Sequence, residues 1–140
     1  MALNVIIDAN ILLDLTLERK GHEDARAIYE EVVAHKIKCH ITTSIVHICG
    51  YWLKKTIGSV AAKKVLFTLI NDMSVIDAAH KTITNALLSS MPDIEDALQY
   101  YTAMEFNLDC YISNDKDFIK AASPNFPVYS AKEFIQFYIS

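Results

Sequence analysis

The stretch Leu3 to Ile7 is a short β-branched run without alternating polar and apolar positions, and it stops at a charged residue, Asp8. A strand with one wet face alternates, whereas a strand apolar on both sides must be covered above and below, as in a parallel sheet between helices. Apolar positions then recur at helical spacing. Ile11, Leu12 and Leu15 mark a helix from Asn10 to Leu17, Gly21 closes it, and a longer helix is expected from His22 to Ala34. Further strands are expected at Lys38–Thr42, Val75–Ile76, Cys110–Ile112 and Val128–Tyr129. Helices are expected at Ser44–Thr56 with Ser44 as its cap, Ala61–Ile70, Thr82–Leu88, Asp93–Phe106, Asn114–Lys120 and Ala131–Tyr138. In the helix ending near Phe106, the spacing puts Ala97, Leu98, Tyr101 and Met104 on one face. Strands separated by helices imply right-handed crossovers and a parallel sheet covered on both sides.

At 140 residues and 52% hydrophobic composition the chain can bury one substantial core. Three glycines and three prolines are dispersed without a linker-like stretch, so residues 1–140 read as a single domain. The apolar opening lacks a basic flank and meets Asp8 too soon for a signal peptide or a membrane span, which predicts a soluble, cytoplasmic protein with no membrane partner. Cys39, Cys49 and Cys110 are scattered and odd in number, and read as reduced core residues. His22, His35, His40 and His80 have no zinc-like spacing with one another or with the cysteines. No glycine-rich loop follows a strand, so nucleotide binding through backbone amides has no support. The net charge of −4 hides an asymmetry: residues 1–70 hold nine basic and seven acidic groups, residues 71–140 four and ten.

In open parallel sheets the functional crevice lies beyond the carboxyl ends of the strands. Asp8 follows the first strand, Asp115 lies just past Cys110–Ile112, and Asp96 sits in the first turn of the helix before that strand. Each also fits a bland role: Asp8 and Asp93 as helix caps, Asp96 as an acid near a positive helix end, Asp115 as a turn residue. Taken together they converge like charges on one crevice, and such repulsion is relieved by a hard divalent cation, Mg2+ or Mn2+. That ion can activate water and stabilise charge on a phosphodiester.

Three segments resemble a known family. Val5-Ile6-Ile7-Asp8-Ala9-Asn10-Ile11-Leu12-Leu13-Asp14 is similar to the opening motif of PIN domains, Asp93-Ile94-Glu95-Asp96-Ala97-Leu98-Gln99 to their D-x-E-D-A segment, and Ile112-Ser113-Asn114-Asp115-Lys116-Asp117-Phe118 to their T-N-D-x-D-F segment. The resemblance runs from Leu3 to Phe134. It implies a three-layer α/β/α sandwich around a central four- or five-stranded parallel sheet, and a metal-dependent endoribonuclease of the toxin kind, paired with an antitoxin protein and dimeric. It further implies Asp8, Asp96 and Asp115 as metal ligands and catalytic acids, Asn10 and Ser113 as groups that orient water or phosphate, and Asn114 as a residue that holds the turn. Asp93 would be an outer acid, and Asp117 would fix the loop while Phe118 packs into the core.

One position departs from that pattern. PIN domains carry a further acid early in the helix after the second strand, and its place here falls at Ile48, beside His47. A catalytically silent module that binds RNA or a protein partner is therefore the rival reading. An acidic pocket also needs basic groups on its rim to hold RNA, and the candidate contacts are Arg19, Lys20, Lys54 and Lys55, with single-stranded RNA the better fit to a crevice. Trp52, in an apolar stripe with Ile45 and Ile48, is expected to serve core or subunit packing, and the stripe Ile48, Tyr51, Trp52 is expected to form a dimer interface.

Overall fold

The computed structural model describes residues 2–139. Among the described residues it holds five strands and eight helices, with one or two helices between successive strands: β1 (Leu3–Ile7), α1 (Ala9–Thr16), α2 (His22–Val33), β2 (Ile37–Thr42), α3 (Thr43–Ile57), α4 (Ser59–Asn71), β3 (Met73–Ile76), α5 (His80–Leu88), α6 (Ile94–Glu105), β4 (Cys110–Ile112), α7 (Lys116–Ala121), β5 (Val128–Tyr129) and α8 (Ala131–Tyr138). All four strand pairings are parallel and the sheet order is β3-β2-β1-β4-β5. The expected α/β/α sandwich is thus built on five strands.

β1 lies in the centre because it is the strand that tolerates no water: Val5, Ile6 and Ile7 are at most 2% exposed. β4 beside it is equally dry, with Cys110, Tyr111 and Ile112 all buried. The order matters for function. From β1 the chain builds outward through β2 and β3, then returns to the other side of β1 for β4 and β5. The reversal falls between β1 and β4, and a crevice opens beyond the carboxyl ends of those two strands.

The core continues as an aromatic cluster under β4. Phe118 from α7 meets Tyr111 edge-on at 4.7 Å, and Tyr100 from α6 packs on Phe118 and on Phe126. The Tyr100 hydroxyl donates to the Phe126 carbonyl at 2.6 Å and accepts from the Ser123 amide at 2.8 Å, so a buried polar group is satisfied twice. All three cysteines are buried and free, as their scatter predicts. Burial pushes the Cys49 and Cys110 thiols up to about 12, which keeps them protonated and inert.

Three local expectations are corrected. Ser44 does not cap α3; the helix begins a residue earlier, and the Thr42 hydroxyl accepts from the Ile45 amide at 3.1 Å. Thr42 is buried and Ser44 exposed, so the hydroxyl at the strand end is the one the fold can use. The buried face of α6 is Ala97, Tyr100 and Ala103, with Gln99 and Thr102, whereas Leu98, Tyr101 and Met104 are half-buried. α6 packs on the sheet with one face and on α5 with the next, so its apolar stripe is wider than a single row. Trp52 is 46% exposed and is not a core residue; the buried stripe of α3 is Ile45, Cys49 and Leu53, spaced four apart. Among the described residues no helix is long and apolar enough to cross a membrane.

Candidate active site

Asp8 is the first residue past β1, and its amide continues the pairing with β4 by donating to the Ile112 carbonyl at 3.0 Å. It occupies the cap position of α1 without a side-chain cap bond. Its carboxylate is instead held by Ser113, whose hydroxyl donates to Asp8 Oδ2 at 2.9 Å. The same Ser113 oxygen accepts from the Asp115 amide at 3.1 Å. Ser113 is wholly buried, so one hydroxyl pins the first acid to the loop that carries the last. Its proton is thus engaged by Asp8.

Asp115 caps α7, accepting at Oδ1 from the amides of Asp117 (2.9 Å) and Phe118 (3.4 Å), which leaves Oδ2 outside the cap. Asp93 caps α6 by accepting from the Asp96 amide at 2.9 Å. The capping reading of Asp93 therefore holds, that of Asp8 does not, and Asp115, read as a turn residue, is a helix cap. Asn114 holds its turn through a distant partner, with its Oδ1 accepting from the Ala131 amide at the start of α8. Asp93, Asp96, Asp115 and Asp117 line one cleft of about 260 Å³, closed by Met91, Pro92 and Phe118.

The electrostatics show how close these acids are. Asp96 is pushed up to about 7, first by burial and then by Asp93, Asp115, Asp8 and Glu95, with nothing opposing. Asp8 is also raised, again by burial first, although the Ser113 hydroxyl and the neighbouring amides lower it and Asp115 adds to the rise. Tyr111, buried beneath them, is raised well above its ordinary value by burial and by the field of Asp8, Asp96 and Glu95. Asp96 thus feels the charge of both Asp8 and Asp115, and Asp8 that of Asp115. Among the described residues, however, no three His, Cys, Asp or Glu side chains stand close enough together to grip a metal ion as they are. The donor set is all oxygen and carries unrelieved negative charge, which fits a hard cation that would draw the carboxylates in.

Glu95 was not singled out by the sequence. It lies on the other side of α6's first turn and lines a second, larger cavity of about 590 Å³ with Asn10, Arg19, His47, Ile48, Tyr51 and Trp52. Burial, Asp93 and Asp8 raise its carboxyl, so it belongs electrically to the same cluster. The signal available in the sequence was the vacancy at Ile48: an acid missing from α3 invites an acid from the helix that faces it.

The basic candidates divide. Arg19 sits on this second cavity, its Nε paired with Asp14 at 3.0 Å and its Nη2 donating to the Asn10 carbonyl at 3.1 Å. Lys55 lies over the Tyr51 and Trp52 rings, 5.7 and 5.4 Å from their centroids. Lys20 and Lys54 are exposed and line neither cavity.

A family model described as a PIN domain matches residues 4–117. No curated protein matches the chain in sequence. Among solved structures, PAE2754 from Pyrobaculum aerophilum is similar at a TM-score of 0.70 and 18% identity, covering 97% of this chain and 95% of that one. VapC20 from Mycobacterium tuberculosis, a toxin that cleaves the sarcin-ricin loop, is similar at a TM-score of 0.68 and 14% identity, covering 88% and 98%. A toxin-antitoxin complex from Klebsiella pneumoniae contributes a chain at a TM-score of 0.67 and 23% identity, covering 91% and 97%.

Proposed function

The chain belongs to the PIN domain family, and from that premise we propose that it is a metal-dependent endoribonuclease, the toxin of a toxin-antitoxin pair, acting on single-stranded RNA as one cytoplasmic domain. What supports the reading is the placement of Asp8, Asp96 and Asp115 around the β1–β4 switch point, where burial first and the neighbouring carboxylates second lift Asp96 to about 7. Such crowding is unfavourable in a protein that has no use for it. Asp8, Asp96 and Asp115 would hold Mg2+ or Mn2+, and the ion, when bound, supplies an activated water and charge stabilisation on the phosphate.

The chain's own residues do the rest. Ser113 fixes the rotamer of Asp8, Asp93 and Asp115 anchor the two helix starts, and Asn114 ties the last acid's loop to α8. Glu95 stands in for the acid that Ile48 lacks, approaching the crevice from α6 instead of α3. Arg19 and Lys55 hold phosphates beside the acids, with Lys20 and Lys54 further out. An antitoxin would have to cover this same crevice to silence it.

A second reading, a silent PIN module that binds RNA or a protein, is favoured by Ile48 and by the wide spacing of the acids. One experiment separates the two. A mixed RNA pool is incubated with manganese, with chelator, and with the Asp96→Asn variant. Cleavage confined to the wild type with manganese is expected, and intact RNA in all three arms would leave only the binding module.

A further inference from the structure

Tyr51 and Trp52 are 60% and 46% exposed, outside the buried stripe Ile45, Cys49, Leu53 of the same helix. The rings meet edge to face at 5.2 Å and form a wall of the cavity that Asn10, Arg19 and Glu95 also line. Asn10 is two residues past Asp8 and Glu95 is next to Asp96, so this cavity lies beside the acids of the proposed cutting site. We propose that this cavity seats one unpaired base of the RNA, stacked on one of these two perpendicular rings and met by the edge of the other, with Arg19 and Lys55 meeting the flanking phosphates. The proposal rests on the ribonuclease reading and adds to it the means by which substrate is gripped.

Every base has a π-face, so an exposed aromatic pair binds single strands without reading their sequence. Arg19 is braced by Asp14 and Asn10 through Nε and Nη2, and neither bond uses Nη1, which leaves that side of the fork for a phosphate. Lys55, already over both rings, places a second cation where the backbone of a stacked base runs. Arg19 and Lys55 are cations at the cavity, and the phosphates that flank a base are anions of the kind they pair with. RNA brings the partners with it.

Trp52 is the only tryptophan, so its emission reports on this cavity alone. A short single-stranded RNA is titrated into the Asp96→Asn variant, with binding followed in parallel by the anisotropy of the labelled RNA. Saturable quenching of Trp52 at the same midpoint as the anisotropy is expected, and Tyr51→Ala should weaken binding roughly tenfold and raise KM for cleavage in the wild-type background with kcat little changed. RNA that binds and is cleaved while Trp52 emission and the Tyr51→Ala affinity stay unchanged overturns this inference and leaves the nuclease reading standing. RNA that neither binds nor is cleaved removes the reading itself. An emission change that follows protein concentration without RNA, together with a dimer mass, assigns the ledge to a second copy and overturns the inference.

Discussion

Asp96 concentrates the electrostatic strain of the crevice, since burial and four carboxylates all act on it in one direction. A carboxyl raised from 3.8 to about 7 binds its proton more tightly in the folded than in the unfolded chain. Its contribution to stability is therefore fully present below pH 3.8 and is lost as pH rises through about 7. In chelator, the melting temperature of the wild type should fall across that window. Asp96→Asn should flatten the slope, leave stability at neutral pH equal or higher, and abolish RNA cleavage; a variant that cleaves normally would remove Asp96 from the site. Ser113→Ala acts differently, because it strips Asp8 of its only side-chain donor and Asp115 of an acceptor. A loss of about 1–3 kcal/mol in urea unfolding is expected, with cleavage reduced because Asp8 is no longer held. The three acids were legible in the sequence because each ends a strand or starts a helix. Glu95 was not, since nothing local distinguishes it from a helix-start acid until α6 is set opposite Ile48.

At the scale of elements, Thr42 shows how the crevice's two walls are joined. Its hydroxyl donates to Gln99 Oε1 of α6 at 2.5 Å while accepting the first free amide of α3. Thr42→Ala should therefore cost about 1–2 kcal/mol for the cap alone, with a further loss from the stranded Gln99, and Thr42→Ser should recover most of it. Chemical unfolding of the two variants measures both. Helix and strand positions followed from periodicity to within a residue or two, as β1 and α8 show. Caps and faces did not. Ser44 and Thr42 are equally good hydroxyls in sequence, and only the sheet decides which is buried. Trp52 fits an apolar stripe by spacing, yet Ile45, Cys49 and Leu53 already fill that face, and a ring left over goes to the surface.

For the whole molecule, the order β3-β2-β1-β4-β5 was not in the sequence, because nothing in the strands says on which side of β1 the chain returns. The acidic second half was, and the fold explains it: α6 and the β4–α7 loop deliver Asp93, Glu95, Asp96, Asp115 and Asp117 to the crevice. Manganese should raise the melting temperature of the wild type in a concentration-dependent way, because only the folded chain brings these acids together, and should do little for Asp96→Asn. RNA binding should weaken steeply with salt, since its grip is on phosphates.

Asp8 closes β1, but its amide bonds to Ile112 and its carboxylate to Ser113, more than a hundred positions later. While a ribosome is still extending the chain short of β4, half of the crevice does not exist. The cutting ability proposed for this fold would then arrive abruptly, at the moment the fourth strand docks against the first.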